Sequence, residues 1–76
     1  MEFIEISGLT LLDVVTDAEI TPDDLAKAGV VDHSIVRINR QGDIELRRKN
    51  GWDVIGGLIG NFDERLKKTT GLDWAG

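Results

Sequence analysis

The stretch from Ser34 to Ile55 allows few folds, because it alternates apolar and polar residues around two glycine-containing breaks. Alternation with a period of two is the pattern of a half-buried strand. Gly42 and the pair Asn50-Gly51 interrupt it where a chain can reverse. Three antiparallel strands are therefore expected, and the side-chain pattern selects the register of the first turn. A two-residue loop at Gln41-Gly42 would set Ile38 against Glu45 and Val36 against Arg47, mixing apolar and charged side chains on one face. A three-residue loop, Arg40-Gln41-Gly42, sets Ile38 against Ile44, Val36 against Leu46 and Arg37 against Glu45. Gly42 then falls at the left-handed position that such loops favour. A slip of one residue sends every side chain to the other face, so the longer loop is preferred. At the second turn, an Asn50-Gly51 loop of type I′ would set Lys49 against Trp52, Arg48 against Asp53 and Leu46 against Ile55. The expected core face carries Val36, Ile38, Ile44, Leu46 and Ile55. The opposite face carries Ile35, Arg37, Asn39, Glu45, Arg47, Trp52 and Val54.

A chain of 76 residues is expected to form one domain spanning 1–76. At this size roughly 60% of the unfolded surface is buried, which leaves no room for a large cavity beside a core. Apolar residues at 41% and charged residues at 30% suit a folded domain rather than a disordered one. There is no cysteine, so neither a disulfide framework nor thiolate chemistry is open to it. The N-terminus has no basic region leading into an apolar stretch, and the apolar-rich Val54 to Ile59 is far shorter than the ~20 residues of a membrane span. The expected setting is cytoplasmic, with no membrane association.

The flanks of the meander supply the remaining elements. Met1 to Ile6 reads as a first strand, and Ser7-Gly8 as a turn. Leu9 to Val15 fits two templates: Leu11, Leu12 and Val15 have helical spacing, while β-branched Thr10, Val14 and Val15 favour a returning strand, the preferred reading. Thr21 to Gly29 is a helix with a capping Thr21, Pro22 in the first turn, Asp23 and Asp24 at the positive end of the dipole, and a Gly29 stop. A last helix is expected from Asn61, with Asn61 and Glu64 at capping-box spacing, Lys67 and Lys68 near its end and Gly71 closing it. Leu72 and Trp74 are then placed to fold back onto the core. Starting this helix near Asp53 would put Gly56, Gly57 and Gly60 in its interior, at about 1 kcal/mol each. The resulting fold class is α+β. It is a small single domain with a mostly antiparallel sheet of four or five strands, a central three-stranded meander at about 34–58, and two short helices at about 21–29 and 61–70.

Candidate chemistry is thin. Asp32-His33-Ser34 holds the residue types of a hydrolytic triad, but neighbours in sequence cannot meet in triad geometry, and His33 reads as a surface histidine. Asp13, Asp17, Glu19, Asp23 and Asp24 are dense but lack the alternation and central glycine of a calcium loop. They read as caps and solubilising charges, so no metal site is expected. Gly56-Gly57-Leu58-Ile59-Gly60-Asn61 precedes a helix but lacks the Lys-Ser/Thr end of a phosphate-binding loop, and reads as a tight connection. No catalytic residue and no cofactor is assigned.

Charge is distributed unevenly. Residues 1–33 hold eight acids against one base, and residues 34–51 hold five bases against two acids. The leading expectation is a non-enzymatic protein–protein interaction or regulatory module, self-associating as a homodimer or serving another protein. Its binding face would hold Ile35, Arg37, Arg47, Lys49, Trp52 and Val54. On this reading Trp52→Ala weakens association more than folding. The competing expectation is nucleic-acid binding by Arg37, Arg40, Arg47 and Lys49, with Trp52 stacking on a base. The overall charge of −5 opposes it.

Overall fold

A computed structural model describes residues 2–75 of the chain: β1 (Phe3–Ser7), α1 (Gly8–Val14), α2 (Pro22–Ala28), β2 (Ile35–Asn39), β3 (Asp43–Arg48), β4 (Gly51–Gly57) and α3 (Phe62–Thr70). The four strands form one antiparallel sheet in the order β1-β2-β3-β4. The α+β class follows, with the expected meander extended by β1. Met1, where the first strand was expected to begin, lies outside the described residues.

The β2–β3 hairpin has the register that its apolar residues demand: Val36 opposes Leu46, Arg37 opposes Glu45, and Ile38 opposes Ile44. Gly42 closes the turn at φ 91°, donating its N–H to the Asn39 carbonyl at 3.0 Å. Ile4 and Ile6 on β1 join the same face, opposite Ile38 and Val36. All six of these β1–β3 apolar side chains are buried. Leu11 and Val14 of α1, Leu25 of α2 and Leu66 of α3 pack against them, with Ile20, Leu58 and Trp74 from the connections. Burial of that apolar surface, at roughly 25 cal/mol per Å², is what holds so short a chain together.

The β3–β4 hairpin departs from expectation. Arg48 opposes Gly51, Arg47 opposes Trp52, Leu46 opposes Asp53 and Glu45 opposes Val54, so the two loop residues are Lys49 and Asn50. A type I′ turn requires positive φ at both central residues. No described non-glycine residue has positive φ, so Asn50 stays out of the left-handed region. In the observed register Asp53 opposes Leu46, and the Arg48 guanidinium still donates twice to Asp53 Oδ2, at 3.0 and 2.9 Å. This register differs from the expected one by an even number of residues, so Trp52 and Val54 keep their face. A bulge then follows, because Ile44 opposes Gly56 and leaves Ile55 as the extra residue, packed beside the core rather than opposite Leu46. Gly56 leaves space there: a Cβ on it would come within 3.3 Å of Ile20 Cδ1.

Residues 8–14 correct the strand reading, for they form a helix. Ser7 Oγ accepts the Thr10 N–H at 3.1 Å and caps the first turn. Gly8 has no room for a side chain, since a Cβ would run into the Val31 carbonyl oxygen. The chain therefore leaves the sheet at Ser7 and folds across its inner face. Leu11 and Val14 are three apart and both buried; a strand would send them to opposite faces. Tertiary packing overrides the β-branched composition. A third helix is thereby added to the two expected.

Helix α2 matches its sequence signals: Thr21 Oγ1 accepts the Asp24 N–H, and Gly29 closes the end at φ 97°. At α3, Asn61 caps without a side-chain bond to the backbone. Its Nδ2 instead donates to Glu64 Oε2 at 3.2 Å, so the two capping-box residues meet side chain to side chain. Beyond Gly71, Trp74 returns to the core and donates Nε1–H to the Ile38 carbonyl at 3.0 Å. Leu72 does not return with it and is 41% exposed. Its N–H donates to Thr70 Oγ1 at 3.1 Å. Among the described residues no helix is long and apolar enough to cross a membrane.

Candidate functional site on the outer sheet face

The pairing fixes the outer face as three rows across the sheet. The first is Ser7, Ile35, Arg47 and Trp52; the second is Glu5, Arg37, Glu45 and Val54; the third is Phe3, Asn39, Asp43 and Gly57. The buried core residues of the helices pack on the other side of the sheet. Side chains on the outer face therefore have mainly each other to pack against.

Arg37 is the centre of that packing. Its guanidinium carbon lies 3.8 Å from the centroid of the Phe3 ring and 4.1 Å from that of Trp52. The side chain runs flat over the sheet, with an aromatic ring from each edge strand against it. Nη2 donates to Glu45 Oε1 at 3.1 Å. Arg47 approaches Trp52 at 5.5 Å. Each desolvated cation–ring contact contributes up to about 2 kcal/mol, and exposed ones about half that or less. With the Arg37 side chain 23% exposed and the Glu45 side chain 12% exposed, this cluster lies between those limits. Arg37 Nε is buried without a hydrogen-bond partner, a residual cost of packing the guanidinium between rings.

Two apolar side chains flank the cluster and stay in water: Ile35 is 52% exposed and Val54 is 61% exposed. Of the six residues expected to bind, the structure brings five together here: Ile35, Arg37, Arg47, Trp52 and Val54. Lys49 is not among them, because it sits in the β3–β4 loop beyond the last row. Arg40, from the competing cation set, lies in the β2–β3 turn at the other end of β3 and donates to the Trp74 carbonyl at 3.1 Å. The four cations Arg37, Arg40, Arg47 and Lys49 are thus spread over both ends of the sheet, and Arg37 is ion-paired.

Phe3 was missed as a member of this face. The signal was present: in Phe3-Ile4-Glu5-Ile6-Ser7 the two isoleucines alternate with the others, which puts Phe3 beside Glu5 and Ser7. Glu19 and Arg65 were also missed, and nothing local in the sequence links residues so far apart. Arg65 donates Nη1–H and Nη2–H to the two Glu19 carboxylate oxygens at 2.8 and 2.7 Å, and to the Val14 and Ile59 carbonyls. Glu19 also accepts from Thr16 and from the Ile59 N–H. The Glu19 side chain is fully buried, and Arg65 above all holds its pKa down to about 2, against the opposing effect of desolvation. This clasp ties the α1–α2 connection and the β4–α3 connection to α3. It is a structural device on the helical side of the molecule.

The remaining candidates fall apart spatially. Asp32, His33 and Ser34 follow one another along the turn before β2, with Ser34 Oγ accepting the Val31 N–H and His33 exposed. Among the described residues no group of three or more His, Asp or Glu is placed to hold a metal ion. Gly56 and Gly57 belong to β4 rather than to a phosphate-binding loop. Comparison with protein-family models, with curated proteins and with solved structures finds no match to this chain.

Proposed function

We propose that this chain is a non-enzymatic interaction or regulatory module that engages a protein partner through the outer face of its sheet. One observation carries the reading: Ile35 and Val54 stand exposed on either side of a centre already locked by the Phe3–Arg37–Trp52 stack. Trp and Arg are the side chains that most often dominate interface energetics. A cluster ordered before binding loses less conformational entropy when a partner arrives.

Size limits the kind of partner. Four strands of about five residues project roughly 19 by 17 Å, or about 300 Å². A standard interface takes ~800 Å² of accessible surface from each side. The face alone is therefore too small for a tight homodimer, and a reversible complex that also uses the sheet rim fits it better.

The test compares the native chain with the doubly substituted chain Ile35→Glu, Val54→Lys. Each is immobilised, exposed to cell extract with and without nuclease, and followed separately by sedimentation velocity. The expected result is a stoichiometric protein that survives nuclease and is lost from the variant, with the melting temperature unchanged. Equal retention by both chains would overturn the reading. Retention of nucleic acid with a steep salt dependence would replace it with the competing one. A dimer seen at micromolar concentration and abolished in the variant would make a second copy the partner.

A further inference from the structure

The two edges of the sheet differ. On β4 the edge is interrupted by the bulge at Ile55 and by Gly56-Gly57. Edge strands of this kind resist pairing with another chain. β1 has none of these devices: Phe3 to Ser7 contains no proline, glycine or bulge. The Gly8 N–H donates to the Ser34 carbonyl at 2.9 Å, in register with the β1–β2 ladder. Hydrogen-bonded pairs alternate along an antiparallel ladder, so Ile6 and Ile4 also bond to β2. Phe3, Glu5 and Ser7 then direct their N–H groups outward, with the carbonyls of Phe3 and Glu5. The edge is a template for one more strand.

Charge narrows what that strand can be. The second outer row reads Glu5, Arg37, Glu45 across the sheet, alternating in sign. Arg37 pairs with Glu45, and Glu5 is exposed with no ion pair among the described residues. A Lys or Arg opposite Glu5 would continue the alternation. The neighbouring positions on the added strand would lie beside Ile4 and Ile6 and call for apolar side chains. A second copy does not meet this requirement through its own β1, since pairing centred on Glu5 sets carboxylate against carboxylate. Its other free edge, β4, offers Trp52, Asp53 and Val54 and no cation.

We infer that the β1 edge accepts an extended segment of a different protein, one with Lys or Arg between two apolar residues, as a fifth strand of the sheet. Recognition of this type draws affinity from main-chain hydrogen bonds and specificity from alternate side chains. Edge pairing uses backbone groups of β1, whereas the outer-face reading uses Ile35 and Val54, so either can fail alone.

The test is a titration of the full ¹⁵N-labelled chain with the blocked peptide Thr-Val-Lys-Val-Thr, and with the same peptide carrying Glu for Lys, at millimolar concentration. The expected result is that the amides of Phe3, Glu5 and Ser7 shift and become protected from exchange. The Lys peptide should bind about fivefold to tenfold more tightly than the Glu peptide. Glu5→Gln should erase that preference, and Glu5→Lys should reverse it. Glu5 is exposed, so both variants are expected to fold, and their melting temperatures check this. The proposal is overturned if those three amides do not respond, if the shifts gather instead on Trp52 and Val54, or if the preference is indifferent to residue 5.

Discussion

The two faces of one sheet hold their side chains by different means. On the inner face, Ile38 and Ile44 sit opposite one another with no exposed surface, under three helices. On the outer face, one row away, Arg37 and Glu45 sit opposite one another with rings beside the guanidinium and water above. The inner pair is held by area removed from water, a non-directional effect that tolerates little loss of volume. The outer pair is held by charge and by ring contacts, which depend on geometry and weaken with exposure. A sheet built this way can be stable through one face and leave the other available.

Substitutions can break this comparison, beginning where the effect is largest. Ile38→Ala should cost about 2–5 kcal/mol in urea denaturation, because it opens a cavity beneath the sheet. A loss under 1 kcal/mol would mean that the inner face is not the main core. Glu19→Gln, on the helical side, should cost about 1.5–3 kcal/mol, because Arg65, 28% exposed, loses the charge on its main partner. It should also change the acid limb of stability. With a folded pKa near 2 against an ordinary 4.5, Glu19 contributes fully above pH 4.5 and progressively less as pH falls toward 2. The Glu19→Gln chain should therefore lose less stability over that window, as followed by circular dichroism.

Smaller effects sharpen the contrast. Trp52→Ala should cost about 1–2 kcal/mol, through the lost contacts with Arg37 and Arg47. An effect as large as that of Ile38→Ala would make the outer face a second core rather than an available surface. Val54→Lys should change stability by less than about 0.5 kcal/mol, since the side chain is already mostly in water. A marked drop in melting temperature would show that Val54 is covered in solution.

Legibility in the sequence followed the range of the interactions. The β2–β3 register could be read because only one loop length keeps Val36, Ile38, Ile44 and Leu46 on one face. Helix α2 could be read because its stop and start lie within a few residues of each other, at Thr21, Pro22 and Gly29. The β3–β4 turn was harder, because a two-residue loop can be drawn at Asn50-Gly51 or one step earlier at Lys49-Asn50, and the observed choice goes with a bulge at Ile55 that seats Gly56 against Ile20. The seven residues expected on the outer face, Ile35, Arg37, Asn39, Glu45, Arg47, Trp52 and Val54, lie there as alternation predicts. What alternation does not give is that Arg37 crosses β3 to meet a ring on β4.

The sequence by itself determined the three-stranded meander, the β2–β3 register, the two faces and the ends of two helices, since period-two patterning, caps and left-handed glycines act between near neighbours. Only the tertiary structure decided that residues 8–14 are a helix, that Ile55 is a bulge, and that Glu19 is clasped by Arg65. Each of those rests on groups distant in the chain. Gly8 must clear the Val31 carbonyl, Gly56 must clear Ile20, and a buried carboxylate must find its guanidinium. Apart from glycine and proline, local propensity is worth at most about 0.7 kcal/mol per residue, and such contacts outweigh it.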